Sequence, residues 1–281
     1  MNELRNPLSS TSLPAHKYFY DPFKTDAETC TDNRTVDIQT KLTQYSSYGI
    51  HVNQIEEAIC FVSKIHIFKK YPKYNDRWHF LYYWVGEQIW NALGKSDTDK
   101  KNQFPTILKE VCNIIKTKCE RDNVDGSGKC ELLCPEQMDG TTFEQDKKVF
   151  DFFSNYNEIK NYVYGGEADC QTHWPSYKSE VESACTTVEN YCKKVGTHER
   201  EPYCINFPQN HGVYCKMTLQ KLECKSPQDA VPEEQESTCP SEDANTQLFE
   251  ERIRSATTTA SISSILGTLG LTVVPYVLYK V

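Results

Sequence analysis

Thirteen cysteines carry most of the chemistry this 281-residue chain can offer: Cys30, Cys60, Cys112, Cys119, Cys130, Cys134, Cys170, Cys185, Cys192, Cys204, Cys215, Cys224 and Cys239. In an oxidising compartment such a set builds a disulfide framework. In a reducing one the same side chains are metal ligands or nucleophiles. Cys130-x-x-x-Cys134, with Cys204, His211 and Cys215, would supply soft ligands to a zinc-like ion. Cys60 with His66 or His79 would make a thiol and a base. With seven histidines among thirteen cysteines, however, chance pairs are expected. There is also no Gly-x-Ser-x-Gly elbow, no Gly-x-x-x-x-Gly-Lys loop and no His-Glu-x-x-His. We therefore expect disulfides, with no catalytic residue, cofactor site or metal site. The first twelve cysteines are the disulfide candidates. Thirteen is odd, so one thiol is left over.

Placing the cysteines requires the elements that hold them. Cys112 and Cys119 are seven residues apart, as are Cys185 and Cys192, which is about two helical turns. Each pair shares one helix face, yet its members are ~10 Å apart, too far to bridge, so each must reach another element. The natural recipients are cysteines in turns: Cys130 and Cys134 around Asp125-Gly126-Ser127-Gly128, Cys170 after Gly165-Gly166, and the Cys204, Cys215, Cys224 group. Connectivity stays open.

The helices themselves are legible as apolar stripes. Asp76 is placed as an N-cap, Trp78, Leu81, Tyr82, Val85, Ile89 and Leu93 recur at three and four residue intervals, and Gly94 ends the run. Val52 to Lys69 repeats the pattern with Ile55, Ile59, Val62 and Ile65. Further helices are expected over 105–118, 142–163 and 176–194, and no stretch alternates with period two. The expected fold class is all-α. Trp78 and Leu81 lie on the stripe and read as core, whereas Tyr83 and Trp90 fall near its edge. The aromatic cluster Trp78, Phe80, Tyr82, Tyr83, Trp84 and Trp90 thus has an adhesive surface as its alternative reading.

Composition sets the outer bounds. Residues 1–255 carry 30 basic against 39 acidic side chains, a net of −9, with no dense Lys/Arg cluster, so nucleic acid is not an expected partner. From Lys225 to Gln247 there are three prolines and six acids against one lysine, a composition that cannot bury enough apolar surface to order itself. This reads as an extended stalk. Cys239 lies within it and is the candidate for the unpaired thiol, bridging a second copy in a homodimer or bonding back to the domain. Between Arg254 and Lys280 there are 25 uncharged residues, the strongest part running from Ile262 to Tyr279 with a single Pro275. A helix needs roughly 20 such residues to cross a membrane. The alternatives are a buried C-terminal helix and a processed lipid-anchor signal with small Ser255, Ala256 and Thr257. The N-terminus, Asn2 to Pro7, is polar and no apolar stretch of a cleavable signal peptide follows it. The expected organisation is a helical cysteine-rich domain over 1–224, an acidic Pro-containing stalk over 225–255 and a transmembrane segment over 256–281. Asn33-Arg34-Thr35 also matches a glycosylation sequon.

Three blocks resemble a known family. Leu81-Tyr82-Tyr83-Trp84-Val85 is similar to the Leu-x-Tyr-Trp-Leu helix of the Plasmodium interspersed repeat (PIR) proteins. Phe150-Asp151-Phe152-Phe153-Ser154-Asn155-Tyr156-Asn157-Glu158-Ile159-Lys160 resembles their Tyr-x-Tyr-Phe-x-Asn-Tyr-x-x-Ile segment. Ile265 to Leu271, followed by Leu278-Tyr279-Lys280, looks like their membrane block. The likeness is to the VIR branch of the vivax malaria parasite. Where that family often has a cysteine, three residues before the first block, this chain has Trp78, so the resemblance implies that Cys60 lacks its usual disulfide partner. The chain also ends at Val281, without the family's Thr-Pro continuation. The resemblance implies a variant antigen, exported or displayed at the surface of an infected red cell, with a helical ectodomain, roles in immune evasion and host-receptor adhesion, and antibodies or a host-cell receptor as partners. The alternative is a structural or trafficking component of parasite-induced membranes, its domain facing a cytosol and its thiols reduced.

Overall fold

The computed structural model describes residues 7–25, 40, 42–43, 50–64, 74–94, 98–122, 130–194, 196 and 198–225. The chain divides into two units, Met1–Ala230 and Val231–Val281, and all described residues belong to the first. Among them there is no strand. Seven helices make the frame: α1 Val52–Lys64, α2 Arg77–Leu93, α3 Phe104–Asp122, α4 Gly140–Ser154, α5 Tyr156–Tyr164, α6 Cys170–Cys192 and α7 Pro202–Asn210. Short helical turns accompany them, including His16–Tyr20, Pro22–Thr25 and Tyr214–Thr218.

Helix α2 is the axis of the domain. The residues buried along it are Arg77, Trp78, Phe80 to Gly86, Ile89, Trp90 and Leu93, which leaves no apolar face open to water. A helix whose apolar side chains spread well beyond one stripe must be enclosed over most of its circumference, and here only an edge with Glu87 and Asn91 reaches water. It is packed by α1, α3, α4 and the His16–Tyr20 turn. Phe19 stacks on Phe80 with ring centroids 4.0 Å apart, and Tyr83 stacks on Phe150 of α4 at 4.5 Å. Tyr83 and Trp90, expected near the edge of the stripe, are therefore core. The adhesive reading of this aromatic cluster is overturned, because all six rings are buried.

Several element boundaries differ from the apolar pattern for tertiary reasons. The helix expected over 142–163 is two, because Asn155 interrupts it. Its Oδ1 accepts the N–H of Ala15 at 2.9 Å and its Nδ2 donates to the carbonyl of Asp151, so the break docks the N-terminal segment. Helix α6 begins six residues earlier than expected and runs through Pro175, whose solvent-facing position tolerates the missing N–H. Helix α3 extends past both expected ends. Helix α1 is described to Lys64, and the rest of the expected Val52–Lys69 segment lies outside the described residues. Asp76 stands at the N-cap of α2 without a side-chain cap bond, while Gly94 closes it at φ 74°. Asp139 is the better cap, its carboxylate accepting from the Thr141 and Thr142 amides of α4.

The expected architecture, a helical ectodomain with a C-terminal transmembrane helix, is corrected in its second part. Among the described residues no helix is long and apolar enough to cross a membrane. The two longest, α3 and α6, are amphipathic: α3 carries Lys109, Glu110, Lys116, Lys118, Glu120 and Arg121, and α6 carries Lys178, Glu180, Glu182 and Glu189. The expected span at 256–281, like the stalk at 225–255 beyond its first residue, lies outside the described residues.

Candidate functional site

Two nested sets of disulfides brace the domain, most of their cysteines buried in its core. Cys112 and Cys119, two turns apart on α3, bond to Cys134 and Cys130 in the chain that returns after the helix. On α6, Cys192 bonds to Cys204 of α7, Cys185 to Cys215 of the Tyr214–Thr218 turn, and Cys170 to Cys224. The order reverses in both sets because the chain returns antiparallel to the helix. The three α6 bridges close loops of 12, 30 and 54 residues, one inside the other. Cys170, Cys204 and Cys215, expected in turns, are held in helical segments. Cys60 is also disulfide-bonded, despite Trp78 standing where the resembled family has cysteine. All eleven cysteines among the described residues are oxidised in this way. Cys30 and Cys239 lie outside the described residues, as does the Asn33 sequon.

The cysteines named for metal or nucleophilic chemistry are engaged in disulfide bonds. Cys130, Cys134, Cys204 and Cys215 are each bonded to another cysteine, which removes the thiolates a soft metal would need. Among the described residues no group of three or more His, Cys, Asp and Glu is placed to hold a metal ion. Cys60 is a disulfide sulfur and no nucleophile. His66 lies outside the described residues, and the His79 ring stacks on Phe150. His211 packs against Phe150, Phe153 and Phe207.

Where the α6–α7 hairpin meets the core, a polar knot is sealed from water. Asp146 of α4 is 0 % exposed, and its two oxygens accept hydroxyl protons from Tyr83 of α2 at 2.7 Å and Tyr203 of α7 at 2.5 Å. Burial pushes its carboxyl up to about 6, although both phenols hold it down. Burial next to this carboxylate also raises Tyr83 and Tyr203 well above the usual phenol range. Beside it, Glu201 accepts from Tyr191 at 3.2 Å and from the Glu136 amide at 3.1 Å, and pairs with His198 Nδ1 at 2.5 Å. The Tyr191 and His198 rings stack at 4.1 Å. Sequence periodicity had no means of finding this knot, since its members come from five separate segments. The side chains of this knot are buried and satisfied by one another, which suits a clamp.

What remains for a partner is the outer surface. On α6 it presents Ser176, Ser179, Glu180, Glu182, Ser183, Thr186 and Asn190. The large exposed hydrophobic side chains among the described residues are Ile205 (55 %) and Met217 (57 %).

A family model described as Plasmodium vivax Vir protein matches residues 13–268. No curated protein and no solved structure matches the chain.

Proposed function

The chain belongs to the Plasmodium vivax Vir family, and on that premise we propose that it is a variant antigen, exported by the parasite or displayed at the surface of the infected red cell, working by presentation and binding with no catalytic step. The observation that carries this reading is the oxidised state of every described cysteine. Disulfides persist in extracellular and other oxidising compartments and are rare in a reducing cytosol. That supports an outward-facing domain over a structural component facing a cytosol. The polar outer surface is of the kind antibodies engage, and antibody interfaces are among the more polar and wetter ones. The partners on this reading are antibodies and a host-cell surface receptor, with immune evasion and adhesion as the outcomes. A homodimer bridged through Cys239 belongs to the same proposal.

The test is protease treatment of intact cells expressing the full chain, followed by non-reducing electrophoresis of the released fragments. Cleavage from outside, giving fragments that separate only after reduction, is the expected result. Protection from the protease together with alkylatable thiols at Cys112, Cys134, Cys185 and Cys215 would overturn it and favour the internal membrane role. In the same gel, a dimer band lost in Cys239→Ser would support the intermolecular bridge, and a monomer throughout would remove it.

A further inference from the structure

We propose that Asp146, gripped by Tyr83 and Tyr203, is a proton-operated latch that fastens the disulfide-tied corner of the α6–α7 hairpin to the central helix and closes more tightly as the medium acidifies. Geometry carries the argument. The carboxylate is on α4, and its two acceptor atoms are used by phenols from two other elements, one on the axis of the domain and one on the hairpin. Tyr203 adjoins Cys204, which is bonded to Cys192, and Tyr191 is the residue before Cys192. The corner from Tyr191 to Cys204 therefore docks or lifts as one piece about Asp146.

The groups that face Asp146 are phenols: Tyr82 and Tyr83 of α2, Tyr191 of α6 and Tyr203 of α7. Glu201 and His198 stand one hydrogen bond further, behind Tyr191. On its own helix the neighbouring cation, Lys147, is engaged with Asp151 at 2.8 Å, and no cation is paired with Asp146 among the described residues. An ionised Asp146 is thus a buried negative charge held by hydrogen bonds alone, which is costly. A protonated one keeps both contacts, donating to one phenol oxygen and accepting from the other, without that charge. When the corner lifts, water reaches the carboxyl and it ionises in the ordinary range. The closed form binds its proton up to about pH 6. Opening is therefore suppressed in acid, becomes easier as pH rises from about 4 to 6, and levels off above that.

The experiment is hydrogen exchange on the intact, disulfide-bonded chain between pH 4 and 7.5, following peptides that cover Tyr191 to Asn210, with the intrinsic exchange rate at each pH divided out. Protection should fall roughly 50-fold from pH 4 to pH 7, and Asp146→Asn should flatten the profile. A second variant, Tyr203→Phe, removes one of the two donors that hold the carboxyl down, so its midpoint should move to higher pH. If Asp146→Asn fails to fold, Tyr203→Phe and Tyr83→Phe carry the test through their midpoints. A wild-type profile that is flat, that Asp146→Asn leaves unchanged, or whose midpoint neither tyrosine variant moves would overturn the latch.

Discussion

Gly86 of α2 lies directly beneath the ring of Phe143 of α4: a β-carbon at Gly86 would sit 2.2 Å from Phe143 Cζ. The relation is reciprocal further along, where a β-carbon at Gly140 of α4 would sit 2.2 Å from the Trp90 ring of α2. Each helix thus contributes one glycine and one aromatic ring, and the two pairs set the register of α4 against the axis of the domain.

Gly86→Ala should therefore destabilise the domain although alanine is the better helix former. Propensity favours the substitution by about 1 kcal/mol, but moving a buried ring in a filled core costs about 1–3 kcal/mol or more. A net loss of about 1–2 kcal/mol in denaturant unfolding is expected. Most of it should be recovered when Phe143→Leu is added, so that a double-mutant cycle reports coupling between the two sites. Additive losses would show that the close approach is not what Gly86 provides.

Removing the Cys170–Cys224 bridge should cost more than removing Cys119–Cys130. The first closes 54 residues and the second 11. Chain entropy alone assigns them about 4 and about 3 kcal/mol respectively. Serine pairs at each position, compared by thermal melting without reductant, check the order.

Glu201→Ala should loosen the corner of the hairpin. It removes the acceptor for the buried Tyr191 hydroxyl, the His198 ring and the Glu136 amide, at a cost of about 2–4 kcal/mol. Glu201→Gln keeps one acceptor oxygen and should lose less. Equal losses in the two variants would argue that side-chain volume, and not hydrogen bonding, holds the corner.

Glu189 predicts a pH effect of opposite sign to that of Asp146. Burial pushes its carboxyl up, but hydrogen bonds from Lys193 and Lys216 outweigh it and leave the group below the usual glutamate value of 4.5. A depressed carboxyl stabilises the folded state above its unfolded value, and that contribution is lost as pH falls through the folded one. Because Lys216 follows Cys215, the ion pair at 3.2 Å ties the return chain to α6. Lys216→Met in an Asp146→Asn background should weaken the decline in stability between pH 5 and pH 3, measured by urea midpoints. A decline as steep as in the parent would dissociate Glu189 from it.

Much of the frame was legible because helices are written in local spacing. The stripe from Trp78 to Leu93 and its Gly94 stop matched α2, and Ile55, Ile59 and Val62 fell on α1. What spacing hid was the number of faces covered. Tyr83 and Trp90 sit off the main stripe of α2, and only the packing of α3 and α4 against those faces makes them core. The break at Asn155 was hidden for the same reason, since its cause is the Ala15 amide, 140 residues earlier. Helix α7 was missed because Pro202 and Pro208 mask a short amphipathic run that the Cys192–Cys204 bridge helps to hold.

The helical class, the need of each heptad-spaced cysteine to reach another element, and the Vir-like blocks are written in the order of the residues, because a period of 3.6 and a run of residue types are properties of neighbours in the chain. Which cysteine meets which, and the convergence of Tyr83, Asp146 and Tyr203, arise only once the helices are packed. Those contacts depend on the direction in which the chain returns past α3 and α6, which no local spacing of residues encodes.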